Sequence, residues 1–169
     1  MSGIVRKVDE LGRIVIPKEL RKNLNIKNSD DLEISIDNDK IILEKFYRLR
    51  SLKDILNNYF CILDRFLNSN FIVTDKESII LTCKKLTELS KKKLCNEFIE
   101  LINCRKQTIN NSKLKITNEF EINNNYYFCP MIVNTDILGS IIIYSDKKIE
   151  ERDLLVVEIF IYLLKEKLE

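Results

Sequence analysis

Histidine is missing altogether from the 169 residues, glycine occurs three times and proline twice. Without an imidazole, hydrolase triads built on histidine, histidine-ligated zinc sites and histidine general bases are excluded. Three glycines, at positions 3, 12 and 139, are too few for a phosphate-cradling P-loop or a G-x-G-x-x-G turn, and neither motif occurs. Long apolar runs are lacking too. The longest, Leu154–Leu164, is interrupted by Glu158 and falls well short of the roughly twenty residues that a membrane-spanning helix needs. The chain opens polar and alternating, without the basic stretch and apolar block of a secretory leader. Its five cysteines (Cys61, Cys83, Cys95, Cys104 and Cys129) form no C-x-x-C pair. Their odd number fits a reduced, cytoplasmic setting in which thiols pack as small hydrophobes. Neither a metal nor a cofactor is expected, and no membrane partner.

What is present is an ordinary globular composition, 45% apolar and 32% charged, with a net charge of only +2. The distribution of charge says more than its total. Residues 1–27 carry seven Lys/Arg against three Asp/Glu, whereas residues 28–45 carry two against six; residues 51–169 hold seventeen of each sign. The basic excess therefore sits at the N-terminus, where a polyanion could use it.

Gly3–Val8 reads as a strand, Asp9-Glu10-Leu11-Gly12 as a turn and Arg13–Ile16 as a second, β-branched strand. Pro17 suits the first position of a helix. Leu20 and Leu24 stack at i, i+4 on that helix, leaving Lys18, Arg21 and Lys22 towards solvent, and Asn25–Ser29 ends it. Leu32, Ile34 and Ile36 alternate as a third strand, Asp37-Asn38-Asp39 turns, and Ile41–Lys45 is the fourth. A ββαββ unit of some 46 residues buries too little surface to be comfortable alone, and without metals or disulfides oligomerisation is the usual remedy. A dimer is therefore expected.

The run Gly3-Ile4-Val5-Arg6-Lys7-Val8-Asp9-Glu10-Leu11-Gly12-Arg13-Ile14-Val15-Ile16-Pro17-Lys18-Glu19-Leu20-Arg21 resembles the AbrB/SpoVT family of swapped-hairpin DNA-binding proteins. Leu32-Glu33-Ile34 and Lys40-Ile41-Ile42-Leu43-Glu44-Lys45-Phe46 continue the likeness. The resemblance implies an N-terminal, mainly β, swapped-hairpin barrel (ββαββ, dimeric), in which two protomers exchange hairpins and leave no open strand edge. It further implies that Arg6, Lys7, Arg13, Arg21 and Lys22 face double-stranded DNA. Their positions agree: two precede the turn, one follows it, and two lie on the exposed helix face, so that a two-fold axis would double them into one basic surface. A guanidinium can grip a phosphate or a guanine edge in bidentate fashion. Many relatives carry two arginines where this chain has Arg21-Lys22, which makes Lys22 a phosphate contact rather than a base reader. The family's loose preference for A/T-rich DNA implies readout of shape and deformability.

In the second half, Tyr47–Arg50 reads as a short basic link, and residues 47–53 as the linker between a domain at 1–46 and another at 54–169. Leu49, Leu52, Leu56, Tyr59, Leu63 and Phe66 recur at alternating spacings of three and four, a seam of less than three heptads, with Ile55, Ile62 and Leu67 widening the apolar face. Asn70–Thr82 reads as a hairpin turning at Asp75-Lys76-Glu77-Ser78, and Leu86–Asn103 as an amphipathic helix. Leu114–Ile122, Tyr126–Val133 and Ile137–Tyr144 read as strands. Glu150–Leu168 reads as a closing helix, apolar nearly all round, of the kind that touches two surfaces. This order resembles a GAF-type α/β (α+β) domain, most of all in Asp136-Ile137-Leu138-Gly139-Ser140-Ile141-Ile142-Ile143-Tyr144-Ser145. GAF domains often hold small molecules between sheet and helix; Tyr126, Tyr127 and Phe128 are candidates for such a lining, with core packing as the favoured alternative. Cys95 and Cys104 lie nine apart on a predicted helix, about 13 Å along its axis, too far for a bridge.

Together the halves resemble sporulation or stationary-phase regulators, cytoplasmic and nucleoid-associated. The resemblance implies a homodimer or homotetramer on A/T-rich promoter DNA, with a small-molecule effector or an assembly role for the second domain. An AbrB/MazE-like antitoxin or a pure protein-interaction module is the alternative, but antitoxin tails are short and disordered until bound, whereas residues 51–169 are patterned to fold. An enzyme, such as a cysteine-dependent reductase, is disfavoured by the absent histidine and the cysteine spacing.

Overall fold

A computed structural model describes residues 3–28 and 30–168, without the side chains of Lys53 and Asp54. Met1, Ser2 and Glu169, which the expected domains include, and Ser29, expected at the end of the first helix, lie outside the described residues. The chain divides after Phe46 into two compact units.

The first unit contains helix α1 (Lys18–Asn23) and the strands β1 (Leu32–Asp37) and β2 (Lys40–Lys45). Pro17 precedes α1, and its carbonyl accepts the N–H of Arg21 at 3.0 Å. The helix ends in a Schellman motif: Asn25 takes a positive φ of 52°, its N–H donates to Lys22, and the N–H of Ile26 donates to Arg21. Strands β1 and β2 pair antiparallel from Leu32↔Lys45 to Asp37↔Lys40, so that only Asn38 and Asp39 form the turn. Asn38, also at a φ of 52°, is a residue type that tolerates this left-handed geometry.

Segments 3–8 and 13–16, expected as strands, carry no strand pairing. An extended segment becomes a strand only where another edge meets its N–H and C=O groups, and within the described chain none does. The turn between them is nonetheless well made. The Asp9 N–H donates to the Arg13 carbonyl and the Gly12 N–H to the Asp9 carbonyl, both at 3.0 Å. Asp9 Oδ1 accepts the N–H groups of Leu11 and Arg13 at 3.0 and 2.8 Å, and Arg13 Nε donates to Oδ2 at 2.8 Å. Gly12, at a φ of +76°, supplies the conformation that closes the loop. The Arg13 main-chain N–H, and then its guanidinium, hold the Asp9 carboxyl below its ordinary value of 3.8.

The second unit is a five-stranded antiparallel sheet covered on both faces. Helices α2 (Arg48–Ser51) and α3 (Lys53–Phe66) precede strands β3 (Asn70–Thr74) and β4 (Ile79–Thr82). A 3-10 segment (Lys84–Leu89), helix α4 (Asn96–Asn103) and strands β5 (Thr108–Asn110), β6 (Leu114–Lys115) and β7 (Glu121–Ile122) follow. Strands β8 (Asn125–Val133) and β9 (Asp136–Ser145) and helix α5 (Glu151–Glu166) complete it. The sheet order is β4-β3-β9-β8-β5, with β6 and β7 paired separately.

Strand alternation divides the core in two. Phe71, Val73, Tyr127, Cys129, Ile141 and Ile143 pack with Leu49, Leu56 and Leu63 of the first helices and with Val157, Phe160 and Leu164 of α5. Ile72, Phe128, Ile142 and Tyr144 face the other way, against Phe98 and Ile102 of α4. Sheets covered on both faces need strands that are apolar throughout, which β9 is from Ile141 to Ile143. Tyr126, Tyr127 and Phe128 are all buried in these two clusters and are therefore core. Burial pushes the hydroxyl of Tyr144 up to about 12 and raises that of Tyr127 as well.

Three segments depart from expectation. Residues 47–53, expected as a linker, hold α2, whose Leu49 is 1% exposed and belongs to the core; the seam read as one helix is broken at Leu52. The helix expected over Leu86–Asn103 is interrupted: Lys91 adopts a φ of 68°, its N–H donates to the Ile79 carbonyl, and α4 begins only after Cys95. The strand expected over Leu114–Ile122 is split by a turn in which Thr117 Oγ1 accepts the N–H groups of Glu119 and Phe120. The five cysteines are free thiols; Cys61 and Cys104 are exposed, and Cys83, Cys95 and Cys129 are buried.

Gly139 fixes how closely β9 approaches β3. A Cβ there would stand 1.9 Å from the Thr74 carbonyl oxygen and 2.8 Å from Asp75 Cα, so the two strands would have to separate. Gly139→Ala is expected to destabilise the second unit by about 3 kcal/mol, read as a lower midpoint of urea unfolding with an unchanged m value. A second expectation concerns the turn. A lowered carboxyl pKa contributes stability that is fully present above the unfolded value and is lost as pH falls through the folded one. An NMR titration should therefore give Asp9 a midpoint below 3.8. In Arg13→Ala the midpoint should rise only part of the way, because the larger cause is the main-chain N–H, which that variant keeps.

Candidate nucleic-acid interface

The five basic residues singled out in the sequence fall on three pieces of the first unit. Arg6 and Lys7 lie on the segment before the Asp9 turn and are exposed; Arg13 closes that turn; Arg21 and Lys22 occupy the last turn of α1. Each placement has a local cause. Arg13 is held by the ion pair to Asp9, with its side chain still 71% exposed. Arg21 and Lys22 sit at the C-terminal end of a helix, where the carbonyl ends of the helix favour cations.

Arg6, Lys7 and Lys22 have no ion-pair partner among the described residues. Lys18, on the first turn of α1 and exposed, shares that condition. Arg21 differs. It is half-buried, and its Nε is a buried donor with no hydrogen-bond acceptor among the described residues. A buried guanidinium N–H without an acceptor carries its full desolvation cost, so this group calls for an acceptor beyond the described residues. The arrangement as a whole offers several cations that are unneutralised among the described residues, which is what a polyanionic backbone engages.

Sequence reasoning read Asp9 only as turn chemistry and missed its second role as the anchor of Arg13. The spacing of four residues between the two was the available signal. Around the cations the unit is strongly apolar and open. Val5 is 89% and Ile36 80% exposed, and Pro17 is the one buried residue among those described up to Phe46.

Comparison with known proteins gives the same division of the chain. Residues 51–165 match the family described as stage V sporulation protein T C-terminal, transcription factor, and residues 5–48 match antidote-toxin recognition MazE, bacterial antitoxin. Stage V sporulation protein T of Bacillus subtilis is 31% identical over 149 residues, spanning 85% of this chain and 84% of that protein. The transition state regulatory protein AbrB of the same organism is 64% identical over 45 residues, 27% of this chain and 47% of its own. Among solved structures, that of a GAF domain/HD domain protein from Geobacter sulfurreducens superposes with a TM-score of 0.50 at 9% identity, over 68% of this chain and 92% of its own, a likeness of fold. The chain belongs to the stage V sporulation protein T family of AbrB-type transcription regulators.

Proposed function

We propose that the chain regulates transcription by gripping double-stranded, A/T-rich promoter DNA through Arg6, Lys7, Arg13, Arg21 and Lys22 of two protomers. The observation that carries this reading is the set of cations on the first unit, Arg6, Lys7 and Lys22 among them, that lack carboxylate partners among the described residues. Binding is dominated by phosphate contacts, and sequence preference comes from the shape and deformability of the duplex.

The working form is a dimer whose first units share a core. A unit in which Pro17 alone is buried, and in which Val5, Leu11, Val15 and Ile36 are largely exposed, has its apolar surface waiting for a partner. The unpaired segments 3–8 and 13–16 have ladder groups to offer the same partner. Pairing of dimers into a tetramer would use the second unit, where Leu155, Ile159 and Tyr162 form an exposed stripe at i, i+4 and i+7 along α5. That unit serves assembly, effector sensing or both, and no catalytic step is assigned to it.

A second reading, an antitoxin, is favoured by the match of residues 5–48 to MazE. It is the weaker one. Residues 47–168 enclose a core of their own, and a tail that wraps a toxin gains its order only on binding.

Fluorescence anisotropy on an A/T-rich duplex across a salt series tests the main reading. Binding should fall steeply with salt, and Lys7→Ala or Lys22→Ala should each lessen the slope of log K against log salt by about 1. Arg13→Ala should weaken binding while leaving the oligomer intact by sedimentation; a variant that dissociates or unfolds would make Arg13 a structural residue instead. Removing residues 51–169 should leave a dimer that binds more weakly, through lost multivalency. Undiminished affinity of the shortened chain would contradict an assembly role for the second unit.

A further inference from the structure

The second unit holds a cavity of about 770 Å³, within the range of roughly 300–1,000 Å³ usual for small-molecule sites. It does not lie between the sheet and α4, where Phe98, Phe128 and Ile142 fill the space. It runs along β4, the edge strand, and is bounded by α2 and α3 on one side and by residues 87–93 on the other.

The lining has two chemical characters. Leu49, Leu56 and Phe60 give it an apolar wall. Lys91 and Lys93 line it from the other side; both are exposed, and neither has an acidic partner among the described residues. The main chain beneath these lysines is fixed. The Lys91 N–H donates to the Ile79 carbonyl at 2.8 Å, the Ile79 N–H donates to Lys92 at 3.0 Å, and Ser78 bridges to Lys93. Lys91 is held there at a φ of 68°, a conformation that few side-chain-bearing residues adopt. The remaining charges of the lining are engaged. Arg50 donates to Asp75 and, at 3.0 Å, to Ser78 Oγ, and Glu77 is hydrogen-bonded to the Tyr47 hydroxyl.

We propose that this cavity binds a small amphipathic anion, a carboxylate on an apolar chain or ring, with its tail against Leu49, Leu56 and Phe60 and its carboxylate at Lys91 and Lys93. A cation would meet two unpaired ammonium groups, and a wholly polar solute would gain nothing from the apolar wall. The proposal rests on the reading of the second unit as a sensor and names the site and the class of effector. Arg50 belongs both to the cavity wall and to α2, which begins two residues after the division at Phe46. Occupancy therefore bears on the first helix that follows the DNA-binding unit.

The test is calorimetry on the full-length chain without DNA, with octanoate as the probe and octanol and octylammonium as controls of equal tail length. Two variants accompany it: the double change Lys91→Gln with Lys93→Gln, and Thr87→Trp, which fills the cavity from an exposed position. Octanoate should bind once per chain, octanol more weakly and octylammonium not at all. The double variant should weaken octanoate about three- to tenfold, as for two exposed ion pairs, and leave octanol unchanged. Thr87→Trp should abolish binding of both with the circular dichroism spectrum unaltered. Absence of octanoate binding overturns the proposal, as does octanoate binding no tighter than octanol with the double variant indifferent, or full binding by a folded Thr87→Trp. Because no DNA is present, failure here leaves the regulator reading standing, and failure of DNA binding leaves the cavity result untouched.

Discussion

Surface grows more slowly than volume, so a unit of fewer than fifty residues has little interior to offer, and in the first unit of this chain the shortage is nearly complete. Pro17 is buried there and nothing else described before Leu49 is, although the segment is rich in valine, isoleucine and leucine. Apolar side chains at that density are stable in water only when something covers them. The main features of the unit follow from this. Segments 3–8 and 13–16 meet no pairing edge among the described residues and so form no ladder. The elements that do form alone are those closed by local chemistry: the Asp9 turn, the Schellman end of α1 and the two-residue turn between β1 and β2. A core shared between two protomers, as proposed, would also double the cations. The proposed dimer would answer the burial problem and build a basic surface at once.

The second unit answers the same problem alone. Its central strands are apolar on both faces, and each face has its own cover of helix. The layers are tied by buried polar contacts rather than by apolar packing alone. Asp153, in the first turn of α5 and 1% exposed, accepts the N–H groups of Asn68 and Ser69 at 3.1 Å and the hydroxyl of Ser69 at 2.5 Å. One carboxylate thereby fixes where α5 starts relative to the chain entering β3, and it also sits where the helix end favours negative charge. Tyr59 ties α3 to the later turns of α5, its ring edge-on to Phe160 and its hydroxyl donating to the Leu163 carbonyl at 3.3 Å.

How much of this was legible in the sequence depended on whether the signal was periodic or local. Long periodic segments declared themselves: α5, β8 and β9 lie close to where alternation and apolar stripes put them. The conspicuous motif of the first 46 residues carried its family with it. What was missed turned on single hydrogen bonds. Ser90-Lys91 breaks a lysine-rich stretch without glycine or proline, because Lys91 is drawn into left-handed geometry by pairing with Ile79. Thr117 ends β6 through its hydroxyl, a turn device that leaves little trace in a hydrophobic pattern. The role of α2 was hidden by its neighbours, since Arg48 and Arg50 made the segment look solvated while Leu49 between them enters the core. At the candidate interface the basic residues were readable one by one; the carboxylate that orders Arg13 and the unpaired donor of Arg21 required coordinates.

The uneven spread of charge along the chain now has a structural setting. Residues 3–27 hold Arg6, Lys7, Lys18 and Lys22, which lack ion-pair partners among the described residues, whereas residues 28–45, which hold the β1–β2 hairpin, are acidic overall. A polyanion approaching such a unit is drawn to one stretch and repelled by the other, so charge alone selects its orientation before any close contact forms. The second unit, with nineteen Lys/Arg against seventeen Asp/Glu, adds little competing pull. Lys91 and Lys93, which have no acidic partner among the described residues, line an apolar hollow beside β4, and a phosphate backbone has no use for the apolar half of that pairing. The two proposed recognition surfaces therefore differ in chemistry: the first gathers cations among open apolar side chains, and the second sets two lysines beside an apolar cavity wall.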